Sequence, residues 1–527
     1  MKRTILFLAS IVGAFCCSSP VKKTEALGDV AFKVTGSEAA NELFIKGHLL
    51  MHSFEYDDAA ELFRLAQQED TSCVMAFWGE AMTYNHPIWQ QQDYEKGKSA
   101  LEKLGVSHEA RIGKTSSNLE KDFFNAADIL YGDGTKPDRD KAYAEFMGSL
   151  YEKYPGNHEV AALYALSLLG SVTLGRNEEI YQKSANISES ILKDNPNHPG
   201  ALHYLIHADD DPLHAGEALA AANEYSLVAP DASHALHMPT HIFVALGMWD
   251  KVIELNVKSW RSSQERKAKK NLTNDDLGYH SFFWLEYGYL QKGRNEDARN
   301  LLDEMIKYCD ELPSSRARSH EIAMRTTYFV ETNDWQSMSL SDTTNVTDMG
   351  VYIRARQLFV QGVKYFHNGD AGGLIQTISQ INTMRQIESV TLNSDGIAVC
   401  KSGALSPSGT TQLDIDQVHV MEAELEGLKA WKNNDLESAE RWFKEALAVE
   451  EKTSYSFGPP AIVKPSGELY GEFLLEVNRP ADAMQAFDAS LHRAPKRRLS
   501  LEGKLKAAKM LKRENEISEL EKELSGV

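Results

Sequence analysis

Cysteine is scarce: five in 527 residues. Two of them, Cys16 and Cys17, fall in the N-terminal leader described below, leaving Cys73, Cys309 and Cys400 widely scattered. Three isolated cysteines make neither a disulfide framework nor a paired-cysteine zinc site. After the first residues there is no apolar run of about 18 or more, which excludes a polytopic membrane protein. Excess positive charge is also absent. Lys and Arg total 56 against 76 Asp and Glu, a net charge of −20, with no basic stripe. Such a chain repels phosphate backbones, so nucleic acid is not expected as a partner. Strand signals are nearly missing. So are the glycine-rich phosphate loops, the dinucleotide fingerprint, the GxSxG elbow and HExxH; His203-Tyr-Leu-Ile-His207 has the HExxH spacing without its glutamate.

What is present is enough apolar sequence for a core. Hydrophobic residues make up 42% and charged residues 25%, which is not a disordered composition. Lys2 and Arg3 precede a short apolar stretch from Ile5 to Phe15, followed by polar Ser18-Ser19-Pro20. That is the order of an export signal, too short to span a bilayer, and it predicts a leader over 1–17 and an exported chain. Cys16 and Cys17 stand where a bacterial lipoprotein carries its lipidated cysteine, but Phe15 occupies a position that is normally small. Two readings stay open: a protein tethered to a membrane by an N-terminal lipid, or one released as a soluble periplasmic or secreted chain.

The body carries a repeated spacing. Gly47-x2-Leu50 precedes Ala59-x3-Phe63, Gly427-x2-Ala430 precedes Ala439-x3-Phe443, and Gly471-x2-Leu474 precedes Ala483-x3-Phe487 and Pro495. Weaker units fall around Ala218, Gly247, Gly293 and Gly362. This spacing resembles the tetratricopeptide repeat, a 34-residue helix–turn–helix unit in which small residues mark close helix approach and aromatics fill the gaps. The resemblance implies an all-α fold, with about 11 helix pairs stacked in a right-handed superhelical solenoid. It divides the chain into an N-terminal solenoid over 38–384, an irregular Gly/Ser-rich loop or hairpin over 385–413, and C-terminal repeats ending in a capping helix over 414–527. It also implies a concave groove lined by positions 2, 5, 9, 12 and 13 of each repeat, which in this family carry contacts to a ligand.

Seven of the 17 histidines lie between His198 and His241. His203 and His207 are spaced i, i+4, as are His237 and His241, so each pair shares a helix face. The two pairs are offset by one 34-residue repeat. The four imidazoles are therefore candidate ligands to one transition metal, zinc or another that accepts imidazole. Asp209, Asp210 and Asp211 are candidate ligands or hydrogen-bond acceptors behind them. Pro239 kinks the second helix or marks its start; in the latter case the i, i+4 argument fails for His237 and His241. His48, His52 and His86, with Trp78, Phe283 and Tyr287, fall at groove-facing positions and predict a His- and aromatic-rich binding surface.

Three roles for the histidines remain open at this level: a metal site, a metal-free groove for a peptide or small ligand, and packing between repeats. Clustered imidazoles also suit a groove whose affinity follows pH. Segments around His198–His207, His234–Phe243 and Pro459–Glu472 are similar to a group of exported bacterial tetratricopeptide proteins, a likeness that supplies the fold but no activity. The reading that follows is an exported scaffold that binds a protein, peptide or small ligand. The alternative is a metal-dependent hydrolase with Asp210 or Glu224 as base.

Overall fold

The computed structural model describes residues 26–339, 344–390, 392, 409–455 and 458–526. The leader expected over 1–17, Cys400 and most of the 385–413 stretch lie outside the described residues.

The described chain is a succession of helices. The first turn of the array comprises α1 (Glu38–His52), α2 (Tyr56–Glu69), α3 (Val74–Met82), α4 (Tyr94–Leu104), α5 (His108–Ile112), α6 (Asn118–Leu130), α7 (Lys136–Lys153), α8 (His158–Gly170) and α9 (Glu178–Asp194). The histidine-rich middle follows: α10 (Pro199–Ala208), α11 (Leu219–Val228), α12 (Ser233–His237), α13 (Pro239–Ala245), α14 (Trp249–Lys270) and α15 (Tyr279–Gln291). Then come α16 (Asn295–Glu311), α17 (Ser315–Thr332), α18 (Val351–Asn368) and α19 (Ala371–Ser389). The C-terminal part holds α20 (Gln412–Lys432), α21 (Leu436–Glu450), α22 (Ser466–Glu476), α23 (Pro480–Arg493), α24 (Arg498–Leu511) and α25 (Glu514–Gly526). Successive helices pack against one another along the chain, and the molecule is an all-α helical-repeat solenoid.

The repeated spacing has a direct packing cause. A Cβ on Gly47 would stand 3.0 Å from the Phe63 ring, one on Gly427 2.6 Å from Phe443, and one on Gly471 2.7 Å from Phe487. Each glycine on the first helix of a pair thus receives the aromatic of the second. Side-chain caps start many helices: Ser37, Thr135, Asn157 and Asp435 each accept a backbone N–H of the first turn.

Two features depart from the expected pattern. Strand structure occurs at Asn85–His86 paired antiparallel with Gln91–Gln92, inside the first turn of the array. The expected terminal capping helix is a helix pair, α24 and α25, separated at Lys512, which takes a left-handed φ of 56°.

The array also closes on itself. Asp29 N–H donates to the Asn197 carbonyl at 3.0 Å, and a Cβ on Gly200 of α10 would lie 2.4 Å from His52 of α1. Arg266 of α14 forks onto the Asp58 carboxylate of α2, with its shortest contact at 2.6 Å. At the other end Trp249 donates to the Lys496 carbonyl, and buried Arg497 pairs with Glu468 and Glu331. The inner faces of the first helices are therefore covered by α8 and α10 rather than open to solvent.

Candidate metal centre

α10 begins with Pro199 at its first position, and the His198 ring accepts the Ala201 N–H at 3.1 Å. One helical turn separates His203 from His207, and their ring centroids lie 4.8 Å apart. In the next repeat α12 stops at His237 and α13 starts at Pro239, so the helix does restart at the proline. Met238 between them keeps helical angles (φ −53°, ψ −39°). The path thus continues helically, the Thr240 hydroxyl takes up the His237 carbonyl at 2.7 Å, and the His237 and His241 rings remain 5.0 Å apart.

The expected quartet does not converge on one point. Its two pairs fall into adjacent triads, each completed by a histidine the spacing argument passed over. Ligand nitrogens of His203, His207 and His234 lie within 4.8 Å of one another, as do those of His237, His241 and His280. Nitrogens on one tetrahedral ion stand roughly 3.3 Å apart, so small ring rotations separate these triads from a ligating geometry.

For three of the rings the hydrogen bonds assign the nitrogen that carries the proton. His203 Nδ1–H donates to the His52 carbonyl at 2.7 Å. Asn256 uses its amide N–H on the Val252 carbonyl, so its oxygen accepts from His237 Nδ1–H at 2.7 Å. His241 Nδ1–H donates to the Asp210 carboxylate. A neutral imidazole protonated at Nδ1 presents a lone pair at Nε2. The Nε2 atoms of His203, His207, His234 and His237 are buried and have no hydrogen-bond partner among the described residues. An unsatisfied buried polar atom costs roughly 1–3 kcal/mol, and here four of them gather in one place. A ring fixed through Nδ1 with Nε2 left over is how proteins orient histidine toward a metal.

Electrostatics keep these rings in the ligating form. Burial, then the neighbouring imidazoles, holds His203, His207 and His234 well below the usual histidine range. The same causes take His237 down to about 3. Neutral histidines bind metal without first losing a proton.

The triads face a cleft of about 550 Å³ whose walls include Phe54, Trp89, Met238, Arg266 and Arg316. Aromatic rings close in around them. Phe54 lies 4.2 Å from His203 and stacks on His207 and His234, and Trp284 lies 4.3 Å from His241. Phe54 holds a left-handed φ of 56°, a conformation that costs a bulky residue on the order of 1–3 kcal/mol. That turn between α1 and α2 is what aims its ring at the histidines.

The other expected site residues are placed differently. His48, His52 and Trp78 are fully buried. His48, His52 and His198 surround Glu159, whose carboxylate accepts an N–H from each at 2.5, 2.9 and 3.1 Å. Burial acts to raise the Glu159 carboxyl, but its three imidazole neighbours outweigh it and hold the group well below the ordinary range. Tyr204 donates to His52 Nδ1 at 2.8 Å, and burial lowers His52 to about 3. This cluster is a buried hydrogen-bonded core in which Glu159 accepts three N–H groups, while His48 Nδ1 has no partner among the described residues. His86 lies in the short hairpin, stacked on Tyr56 at 4.2 Å and one ring removed from the cleft, since Trp89 meets both His86 and His234 at 6.0 Å. Phe283 is half-buried where the two hydrophobic cores meet, and Tyr287 is buried against Arg497.

Of the acidic trio, Asp210 is the acceptor behind His241. Asp211 accepts the Leu213 and His214 N–H groups and pairs with Arg176. Asp209 is buried with both oxygens unpartnered among the described residues, and burial, then Glu217, pushes it up to about 7. Glu224 is exposed on α11 and does not line the cleft.

Phe54, His234, Asn256 and His280 are the residues of this centre that the spacing argument missed. His234 lay inside the counted histidine cluster, so the signal for it was present. His280 is 39 residues beyond His241 rather than 34, because the intervening α14 runs for 22 residues.

No protein-family model matches the chain, and no curated protein does. Among solved structures it is similar to the Cut9–Hcn1 tetramer, with 10% identity over 89% of this chain and 76% of that one, at a TM-score of 0.36. It is likewise similar to yeast Tom70, with 13% identity over 91% and 96% of the two chains and a TM-score of 0.34. The human IFIT1 dimer with PPP-AAAA aligns at 12% identity over 94% of this chain and 96% of that one, at a TM-score of 0.35.

Proposed function

We propose that the protein is a helical-repeat scaffold that holds a transition metal, zinc or another ion suited to imidazole, in the cleft between α1, α10–α14 and α15. One observation carries this reading: four buried Nε2 atoms without partners among the described residues, two of them on rings pinned through Nδ1, His203 and His237. Packing alone gives such atoms no compensation, whereas a metal takes up the lone pair of each nitrogen it binds. The open side of the cleft leaves room for a small ligand or a side chain of a protein or peptide partner at the metal. The basic-then-apolar start of the sequence supports export of this scaffold, either lipid-tethered or released.

Binding is favoured over hydrolysis by the state of the nearby carboxylates. Glu55 accepts the backbone N–H of His234 at 2.9 Å, Asp276 caps Thr273, and Asp210 is committed to His241. Asp210, the carboxylate in contact with a ligand ring, orients that ring, and a general base instead needs a lone pair poised over the metal's open position.

The test is elemental mass spectrometry on tag-free full-length protein beside a His203→Ala/His237→Ala variant. Near-stoichiometric metal in the parent, lost in the variant, is the expected result. Metal-free protein after incubation and desalting would leave the histidines as groove or packing residues.

A further inference from the structure

We infer that the six histidines form a dinuclear centre, with one ion on His203, His207 and His234, a second on His237, His241 and His280, and an oxygen anion bridging the two in the cleft. The inference rests on the metal reading above and adds the number of ions and the class of ligand they take.

Spacing is the first argument. Ring centroids across the boundary between the triads are 5.8 Å for His207–His241 and 6.1 Å for His234–His237. Inside the triads, neighbouring rings lie 4.8 Å (His203–His207), 5.1 Å (His203–His234), 4.8 Å (His237–His280) and 5.9 Å (His241–His280) apart. The gap between the triads is thus hardly wider than the gaps within them. Ions that cooperate on one ligand sit about 3.5–4 Å apart, so only triads that adjoin, as these do, can share one. Six rings also exceed what a single tetrahedral ion accepts.

Charge is the second argument. All six donors are imidazoles, none of which brings a negative charge. Asp210 is the carboxylate that touches a ligand ring, and it spends itself on the His241 N–H. Two divalent ions would bring four positive charges to a partly desolvated cleft with no anionic donor in either triad. Charge left uncompensated in such a site is strongly unfavourable, which favours an anion that enters with the metals. Three protein ligands per ion leave each a vacant position, and an oxygen anion such as hydroxide, a carboxylate or a phosphate fills both. The cleft wall carries both signs, Glu55 and Asp276 beside Arg266 and Arg316. Arg316 gives its N–H groups to the backbone carbonyls of Asp275 and Leu277 rather than to a carboxylate, and its positive charge remains beside the entrance.

Access is the third. His280 is exposed at the cleft, so the second triad meets solvent directly, while His203 and His207 lie behind it.

The experiment loads tag-free full-length protein with zinc, removes excess by desalting, and counts ions beside His280→Ala and His234→Ala variants. Circular dichroism melts confirm that each variant folds; His280→Ala, at an exposed position, is the safer of the two. Two ions per chain in the parent and one in each variant are expected. A parallel copper(II) loading is read by electron paramagnetic resonance, and inorganic phosphate is titrated calorimetrically into the zinc form. The parent should show a magnetically coupled copper pair and bind one phosphate per two ions, and His280→Ala should show an isolated copper signal and at least tenfold weaker phosphate binding. No metal at all overturns both this inference and the metal reading. One ion per chain overturns the dinuclear centre and leaves the metal reading standing. Two ions without coupling and without phosphate uptake overturn the bridge.

Discussion

Asp210 and Asn256 influence the triads without being candidate ligands themselves. Each fixes a ring through Nδ1, and the affinity of a histidine site depends on such partners by about 10–100-fold. Asp210→Ala should therefore keep the ion count while raising the dissociation constant by that factor, measured by competition against a chromophoric chelator. An unchanged constant would mean that His241 is oriented by packing alone. A second residue-scale prediction concerns Glu424. Its carboxyl is buried, neither oxygen has a hydrogen-bond partner among the described residues, and burial, then the Glu450 carboxylate, raises it well above the ordinary range. A raised acid contributes stability that is present below its unfolded pKa and lost as pH climbs toward the folded value. Glu424→Gln removes that loss. The stability of the variant relative to the parent should thus grow as pH rises above the ordinary carboxyl value of 4.5, which a comparison of roughly pH 4.5 with pH 7 reads. Parallel urea titrations at both pH values measure it, and a constant difference would refute the assignment.

Helix pairing was legible in the sequence because it rests on contacts of fixed local offset. Gly471 and Phe487 meet for the same geometric reason as Gly427 and Phe443, and both separations are readable as spacings. The close approach makes the glycine sensitive: a Cβ at Gly471 would stand 2.7 Å from the Phe487 ring. Gly471→Ala should cost about 1–3 kcal/mol, seen as a lower urea midpoint with the slope unchanged. Retained stability would show that the pair relaxes freely. The histidine triads were half legible. His203 and His207 lie on one face of α10 and obey the helical spacing. His237 and His241 keep their approach because Met238 carries the helical path into Pro239. His280 was not legible, since α14 is longer than a repeat helix and shifts everything after it out of phase. His48, His52 and Trp78 were expected to face an open groove, and the structure buries them instead. Spacing within a helix could not show that α8 and α10 cover those positions, because the covering residues, Glu159 and Tyr204, lie more than 100 positions away.

Across the whole molecule the described apolar residues form two large cores. One runs from Leu27 to Tyr287 and the other from Trp260 to Leu520, with Phe283 packed against both. α15 straddles the seam, and the same helix carries His280. Repeat arrays of this length lose cooperativity, because each unit contacts mainly its neighbours. Metal-free protein should therefore melt in two calorimetric transitions, one for each core. A ligand that binds the folded state at about 100 times its dissociation constant adds roughly 2.7 kcal/mol. The first triad lies wholly within the N-terminal core, so an ion there raises the N-terminal transition alone. The second triad joins α12 and α13 to α15, so its ion ties one core to the other. Metal should accordingly raise the N-terminal transition and draw the two together, and a chelator should separate them again. In His280→Ala the first shift should survive while the convergence disappears. If metal moves the C-terminal transition by itself, or if His280→Ala melts like the parent in the presence of metal, then α15 is not the element through which the centre couples the halves of the solenoid.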